Sequence, residues 1–315
     1  MVIIVKKLNK QNEISKQKSL RRKFGGIFYC KKLQNREEMS MKDLKISQLI
    51  VKHYFQKLND VLNVDVAIAG CGPSALALAT ELAKNGRKVA IFEAKNEPGG
   101  GIWGGGMMFN ELVLESELEW YLKEHHIKYK KEDEFIVVDA VHFASAMLYN
   151  ATKNGAYIFN NVFVEDLVMY NERISGVVIN WMPTIKEKLH VDPITVVAKF
   201  TVDGTGHPAN LVRLLSKRGI INSVKGSSEN LCSCGVVEYE FPMDAENGEK
   251  FVVENTKEIY PGLYVMGMAA VSVGGGPRMG PIFGGMIMSG LRAAELIEEE
   301  LKRIETSEDK MWVRV

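Results

Sequence analysis

The sequence predicts an α/β protein with a Rossmann-like dinucleotide-binding fold and an inserted β-meander. VDVAIAG (64–70) is an apolar run that ends in glycine, as a buried parallel strand does. PSALALATELAKNG (73–86) is typical of a helix, and RKVAIFEA (87–94) of a second strand, which completes a βαβ unit. Four later runs, AYIFN, NVFVEDLVMY, ISGVVINW and ITVVAKFTVD, predict the strands of the meander.

The remaining elements follow from hydrophobic periodicity. A helix is predicted to begin at Met41, and further helices are predicted over residues 112–124 and 141–154. GLYVMGM (262–268) predicts one more buried strand, and residues 281–304 predict a long closing helix. These elements predict one dinucleotide-binding catalytic domain over residues 41–305, followed by a tail at 306–315.

Length and charge narrow the class of protein. The chain has 315 residues, of which 46% are hydrophobic, enough for one large core or two joined halves. A net charge of +1 gives no reason to expect a polyanionic partner. Residues 1–40 hold 11 Lys and Arg against 3 Asp and Glu. We expect a disordered extension there, or a start codon assigned too far upstream, and a nucleic-acid-binding arm is the alternative.

The cysteines and the hydropathy indicate the compartment. Cys30, Cys71, Cys232 and Cys234 form no regular disulfide framework, which predicts a reducing cytoplasm. Cys232 and Cys234 fit two small structural residues better than a metal or redox pair. Since no stretch of 18 apolar residues occurs, no membrane partner is expected.

The segment between the first strand and helix is suited to phosphate binding. Gly70 permits the tight turn, Gly72 lets a pyrophosphate approach the backbone, and Ala75 lets the helix pack close to the strand. The amides at the helix N-terminus then face the phosphates. Glu93, at the end of the second strand, is placed to accept hydrogen bonds from ribose hydroxyls. The alternative is a glycine turn in an α/β fold that binds no nucleotide.

Two further segments indicate the type of dinucleotide fold. EAKNEPGGG (93–101) and TVDGTGH (201–207) resemble the glutathione-reductase flavoprotein type, in which a meander interrupts the Rossmann sheet. Val164 would then lie where the main chain meets the adenine. An FAD-dependent oxidoreductase is therefore one candidate, although residues 210–262 leave little room for the second domain that such enzymes usually carry.

Longer motifs resemble the thiamine thiazole synthase family in its archaeal form. They are GCGPSALALATELA (70–83), PGGGIWGGGMMF (98–109), VVINW (177–181), LHVDPITV (189–196), TGH (205–207) and GGPRMGPIFGGMIMSG (275–290). The resemblance implies synthesis of an ADP-thiazole, an adenylated 4-methyl-5-hydroxyethylthiazole carboxylate, from NAD, glycine and a sulfur source. NAD is then a consumed substrate, no flavin is implied, and the assembly is a homooctamer.

The resemblance also implies the ligands of individual residues. Arg278 would bind the glycine carboxylate, which suits a guanidinium with two parallel donors. Capping a carbonyl or pairing with a surface acid is the alternative for Arg278. The positions that match contacts to the NAD-derived adenylate are Ser74, Glu93, Ala94, Gly101, Val164, His190, Val191, Asp192 and Met268.

Asp192 and His207 form a candidate metal site. They are 15 residues apart, so they can meet only if the strand between them curves or if two subunits share a site. One histidine and one carboxylate are too few for a closed zinc site but suit iron with open positions. The resemblance implies that they are Fe(II) ligands near a subunit boundary. A structural histidine and an ordinary Asp-Pro turn are the alternative.

His190 carries the prediction about the sulfur source. Fungal and plant members of the family hold at this position a cysteine that gives up its own sulfur. Imidazole has no sulfur to give, so the chain is expected to use free sulfide and to turn over repeatedly. His190 is the candidate catalytic acid or base because imidazole titrates near neutral pH. Two other candidates are a nucleotide-binding regulator and a sugar-phosphate isomerase, for which no phosphate-binding lysine pair is evident.

Overall fold

The structure, a computed structural model, describes residues 41–221 and 241–306. Contacts divide the chain into two compact units, Met1–Asp60 and Val61–Val315. In the first, α1 covers residues 41–60, which confirms the helix predicted from Met41. The interpretations of residues 1–40, Cys30, Cys232, Cys234 and most of the tail lie outside the described residues, and the single domain at 41–305 stays a prediction. Among the described helices, none is both long and apolar enough to span a bilayer.

The described residues of the second unit form eleven strands and eight α-helices. The strands are β1 (Asn63–Ala69), β2 (Val89–Glu93), β3 (Glu111–Glu115), β4 (Lys130–Glu132), β5 (Phe135–Asp139), β6 (Tyr157–Asn160), β7 (Val162–Tyr170), β8 (Arg173–Trp181), β9 (Ile194–Asp203), β10 (Lys257–Tyr260) and β11 (Leu263–Val265). The helices are α2 (Pro73–Lys84), α3 (Glu119–Glu124), α4 (Ala140–Lys153), α5 (Met182–Lys186), α6 (Asn210–Lys217), α7 (Ala245–Glu254), α8 (Met268–Gly274) and α9 (Gly284–Thr306).

The main sheet has the strand order β10-β11-β9-β1-β2-β6. The central pairs β2–β6, β1–β2, β1–β9 and β9–β11 are all parallel. β1 and β2 are almost wholly buried because helices cover the sheet. The sheet is therefore the predicted Rossmann-like one, whose carboxyl ends form one edge where ligands bind in such folds.

The meander consists of β7, β8 and β9. β8 pairs antiparallel with β7 and with the first half of β9, while the second half of β9 pairs with β1. β9 thus returns the chain from the meander to the parallel sheet, as in the glutathione-reductase flavoprotein type. AYIFN was predicted to belong to the meander, and this is wrong: β6 pairs parallel with β2 at the edge of the main sheet.

The helix predicted over residues 112–124 is also wrong in its first half. Residues Glu111–Glu115 form β3, which pairs antiparallel with β5 in a second sheet of order β3-β5-β4. Leu112 and Leu114 are buried and alternate with less buried neighbours, a period of two that suits a strand. Only Glu119–Glu124 are α-helical.

Glycines lie near two boundaries that differ from the predicted ones: the end of β11 and the start of the closing helix. The predicted strand 262–268 is shorter, Leu263–Val265, because Gly267 has φ 58° and precedes α8. The predicted helix 281–304 is observed as α9, which begins at Gly284. α9 packs on α2, and a Cβ at Gly290 would lie 2.3 Å from the Ser74 carbonyl oxygen. This close approach fixes the helix that carries the phosphate-binding turn.

Candidate active site

A large cavity opens at the carboxyl ends of β1, β2, β9 and β11. Its volume is about 1120 Å³, slightly above the upper end of the range for drug-sized ligands, which is enough room for a dinucleotide. Ten of the residues predicted from the sequence line it: Gly70, Gly72, Ser74, Glu93, Ala94, Gly101, Val164, His207, Met268 and Arg278.

The turn between β1 and α2 has the geometry of a phosphate-binding loop. Gly70 has φ 89°, and a Cβ there would lie 2.5 Å from the Gly204 carbonyl oxygen, so only glycine fits. α2 begins with Pro73, and among the described residues no side chain caps its N-terminus. The first amides of this 12-residue helix are therefore oriented toward the cavity, where a phosphate can accept them.

Gly72 offers a direct test of this loop. Its φ of −83° is open to any residue, and a Cβ built there meets no described atom within 4 Å. Gly72→Ala should therefore leave the melting temperature unchanged within a degree or two but weaken NAD binding at least about tenfold, because the methyl group occupies the approach of the pyrophosphate. Thermal unfolding and isothermal titration measure the two effects. Equal NAD affinity in wild type and variant would show that phosphate does not bind here.

Glu93 lies at the carboxyl end of β2, as predicted. Its side chain is buried, Oε2 accepts a hydrogen bond from the Cys71 amide at 2.8 Å, and Oε1 accepts one from the Lys95 amide at 2.8 Å. These two bonds fix the carboxylate beside the phosphate-binding turn. Each oxygen retains a second lone pair, with which it can accept a ribose hydroxyl.

Val164 lies on the opposite wall, on β7. The β7–β8 ladder pairs Val164 with Ile179 and Asp166 with Val178, so it skips Glu165 in a β-bulge. The main chain beside Val164 is thus free of the regular ladder. This geometry is compatible with the backbone contact predicted for an adenine.

Asp203 is a site residue that we did not predict from the sequence. It ends β9 and is fully buried. Its carboxylate accepts hydrogen bonds from the Thr205 amide (3.1 Å) and hydroxyl (2.7 Å), and from the Leu211 (2.8 Å) and Val212 (3.1 Å) amides. Burial raises the pKa of Asp203, and these four bonds oppose that shift. One carboxylate therefore joins the TGH turn to the N-terminus of α6, and the cavity wall from Gly204 to Asn210 depends on it.

Backbone hydrogen bonds hold the loop that carries Arg278 in place. The Arg278 amide donates to the Phe241 carbonyl at 3.3 Å, and the Asp244 amide donates to the Arg278 carbonyl at 3.0 Å. Beyond the loop, buried Glu249 accepts a hydrogen bond from the Gly285 amide at 2.7 Å. Arg278 itself is exposed and lines the cavity, so these backbone hydrogen bonds hold it at the cavity wall.

Three of the predicted residues lie away from the cavity: His190, Val191 and Asp192. They are exposed in the segment before β9, and none is among the residues that line the cavity. The Asn180 side-chain amide donates to the Val191 carbonyl at 3.1 Å and attaches this segment to β8. The structure therefore groups ten of the predicted residues at one end of β9 and three at the other.

The length of β9 decides how Asp192 and His207 can meet. β9 has 10 residues, and at a rise of ~3.3 Å per residue its two ends, beyond which Asp192 and His207 lie, are about 30 Å apart. Its ladder with β1 is regular from Val197 to Asp203, so the strand does not fold back on itself. The described strand therefore shows no curvature that would bring these two residues of one chain together, and a site shared between two copies stays the prediction.

The fold and the cavity define a class of protein. The parallel sheet, the meander and the phosphate-binding turn together form a dinucleotide-binding domain of the glutathione-reductase flavoprotein type. Comparison with known proteins then identifies the family, since the model described as "Thi4 family" matches residues 47–283. The chain belongs to the Thi4 family, and the resemblance to thiamine thiazole synthases is confirmed.

Individual relatives agree with this assignment. Thiamine thiazole synthase from Thermotoga maritima is 60% identical over 264 residues, which cover 84% of this chain and 100% of the relative. Its counterpart from Pyrococcus furiosus is 50% identical over 262 residues, or 83% of this chain and 99% of the relative. The crystal structure of Thermovibrio ammonificans THI4 superposes with a TM-score of 0.76 at 40% identity, covering 82% of this chain and 98% of that one. The chain is thus an enzyme of thiazole biosynthesis for thiamine.

Proposed function

We propose that this enzyme makes ADP-thiazole from NAD, glycine and free sulfide, with Fe(II), over many turnovers. The observation that carries the proposal is the cavity itself, in which the phosphate-binding turn, Glu93, His207 and Arg278 line one space. The residues proposed for an adenylate, a small carboxylate and a metal ion therefore line one common volume. The alternative is an FAD-dependent oxidoreductase of the same fold, and membership of the Thi4 family favours thiazole synthesis over it.

NAD is the substrate that occupies most of the cavity in this proposal. The amides of α2 bind the pyrophosphate, Glu93 accepts the ribose hydroxyls, and Ser74, Ala94, Gly101, Val164 and Met268 enclose the rest of the adenylate. The acid at the end of β2 favours a ribose without a 2′-phosphate, because a phosphate there would face the negative charge of Glu93. NAD is accordingly preferred to NADP.

Glycine binds through its carboxylate to Arg278. A guanidinium can donate two parallel hydrogen bonds to a carboxylate, which fixes the orientation of so small a ligand. Gly276 and Gly280 near the arginine let the loop pack closely, because a Cβ would lie 2.2 Å from the Phe251 ring at Gly276 and 2.7 Å from the Met243 sulfur at Gly280. The backbone bonds of Arg278 to Phe241 and Asp244 hold the position of that loop.

Asp192 and His207 fit the proposed iron site only when two copies of the chain combine. One imidazole and one carboxylate are donors that Fe(II) accepts, with further positions open to substrate atoms. When bound, Fe(II) would supply Lewis-acid chemistry at those positions. His207 would come from the copy whose cavity holds NAD, and Asp192, with His190 and Val191, from the neighbouring copy. A symmetric assembly, an octamer by resemblance, repeats this pairing at every site.

Among the described residues near the site, none is a suitable sulfur donor. His190 stands where fungal and plant members hold the cysteine that is consumed, and imidazole contains no sulfur. Cys71 lines the cavity but is fully buried, and burial raises the pKa of its thiol, so the reactive thiolate is disfavoured. These two facts support external sulfide, and His190 is left as a candidate acid or base.

Mass spectrometry of the small molecules that co-purify with the protein tests the proposal. We expect an adenylated thiazole or an NAD-derived precursor after denaturation of the protein. The absorption spectrum of the native protein is the control, because a flavin would make it yellow. Recovery of FAD in place of an adenylated thiazole would establish the oxidoreductase and refute the synthase.

A further inference from the structure

A second cluster of ligand-type side chains lies on α2 and at the end of α3. Glu81, Glu124 and His125 each offer one ligand atom, and these three atoms lie within 4.8 Å of one another. None of the three lines the cavity of the candidate active site. The cluster is therefore separate from the proposed chemistry.

His125 is the most informative member. Its side chain is only 3% exposed, and its Nε2 atom makes no hydrogen bond to any described residue. Nε2 lies 3.9 Å from Glu81 Oε1, too far for a hydrogen bond. The ring packs against Tyr121 with the centroids 4.2 Å apart, and the Asn150 amide donates to the His125 carbonyl at 3.3 Å. A buried nitrogen without a partner, fixed beside two carboxylates, calls for a ligand.

The donor types of the three side chains also suit a metal ion. An imidazole with a free nitrogen and two carboxylates form the donor set of a transition-metal site.

A cation already lies between the carboxylates. Lys84 Nζ is 2.8 Å from Glu81 Oε1 and 2.7 Å from Glu124 Oε1. The Lys84 side chain is 29% exposed, so it can swing into solvent without crossing the core. The single ammonium offsets only one of the two negative charges and leaves His125 Nε2 unsatisfied, whereas a divalent metal ion would balance both carboxylates and also bind Nε2.

We propose that Glu81, Glu124 and His125 form a binding site for a transition-metal dication, with Lys84 as its competing cation. Zn²⁺ suits these donor types, and bonds of about 2.0–2.1 Å would place neighbouring tetrahedral ligands ~3.4 Å apart, so the side chains must close in from 3.9 Å between His125 and Glu81 and from up to 4.8 Å within the cluster. Imidazole excludes Ca²⁺ and Mg²⁺ as the preferred ions. Three protein ligands leave one position for water. The ion would link α2 to the end of α3 and so stabilise their packing.

A zinc titration tests the site on the full chain. The Asp192→Ala/His207→Ala double variant serves as the background, which removes the ligands proposed for iron and makes the result independent of the proposed function. Zinc affinity is measured by competition with a chromophoric chelator. We expect one Zn²⁺ per chain, and Glu124→Gln and His125→Gln should each weaken it at least about tenfold.

Lys84→Met distinguishes the proposal from adventitious binding. Removal of the competing ammonium should strengthen zinc binding severalfold, whereas a merely structural lysine gives no such gain. Glu119→Gln is the matched control: Glu119 is on the same helix and pairs with Lys123 and Lys131, and its loss should leave zinc affinity unchanged. Glu124 is half exposed, so Glu124→Gln is expected to fold even if the His125 variant does not. Unchanged zinc affinity in both Glu124→Gln and Lys84→Met, or no bound zinc in the background protein, would overturn the proposal.

Discussion

Asp192→Ala and His207→Ala are each expected to abolish thiazole formation, and the two inactive proteins should regain activity when their chains are mixed. The ~30 Å length of β9 keeps the two residues of one chain apart, so each proposed metal site takes one residue from each of two copies. Each substitution then destroys every site of a uniform assembly. We expect a loss of at least about a hundredfold in each case, since a first ligand of the metal is removed.

Mixed assemblies of the two variants distinguish a metal site shared between two copies from a site formed within one chain. With random pairing of the two variants, about a quarter of the sites combine an intact Asp192 with an intact His207 from the neighbouring copy. Co-expression of the variants with different affinity tags, followed by tandem purification, should therefore restore a substantial fraction of wild-type product. The control is the double variant mixed with either single variant, in which no intact pair can form. A mixed assembly as inactive as its parents would contradict a shared site.

Asp203→Asn is expected to have the largest effect on stability. The amide keeps one acceptor oxygen but turns an NH₂ group toward two buried backbone or hydroxyl donors. Because buried donors without acceptors cost 1–3 kcal/mol each, we expect a loss of roughly 3–5 kcal/mol in the free energy of unfolding. Gly204 to Asn210 would lose their anchor, so NAD affinity should also fall in any variant protein that folds.

Asp244→Asn is the matched control for this substitution. Asp244 also caps a helix, accepting the Asn247 amide at 3.1 Å, but it is exposed to solvent. Water can replace its hydrogen bonds, and asparagine is itself a good N-cap, so the cost should stay below about 1 kcal/mol. Urea unfolding of the two variants measures the difference. Equal and small losses would show that the four bonds of Asp203 do not hold the turn.

The parts of the site that the sequence predicts are local in the chain. The turn from Gly70 to Ala75 and the acid at Glu93 lie within one βαβ unit, whose short connections leave one way to assemble it. Arg278 was found by a long motif, and its place at the cavity agrees with the expected contact to a small carboxylate. Apolar runs were also sufficient to predict β1, β2 and the meander strands.

The remaining features depend on contacts between distant segments. No local pattern says that Tyr157–Asn160 pairs with β2 or that β9 is long enough to separate Asp192 from His207. Leu114 fits a helical period with Leu118 and Leu122 as well as a strand period with Leu112, and only the pairing with β5 decides between them. Asp203 could have been suspected, because an acid that ends an apolar strand needs a partner when buried. His125 could not be recognised as a candidate metal ligand from the sequence, because Glu81, which completes the cluster with Glu124, lies on another helix.

Product counting under anaerobic conditions tests the central claim most directly. The purified protein is incubated with Fe(II), NAD, glycine and sulfide, and ADP-thiazole is quantified against the amount of chain. We expect more than one thiazole per chain, no product without sulfide, and an unchanged mass of the polypeptide. A yield limited to one per chain and independent of sulfide, with a protein that has lost the elements of hydrogen sulfide, would contradict the account.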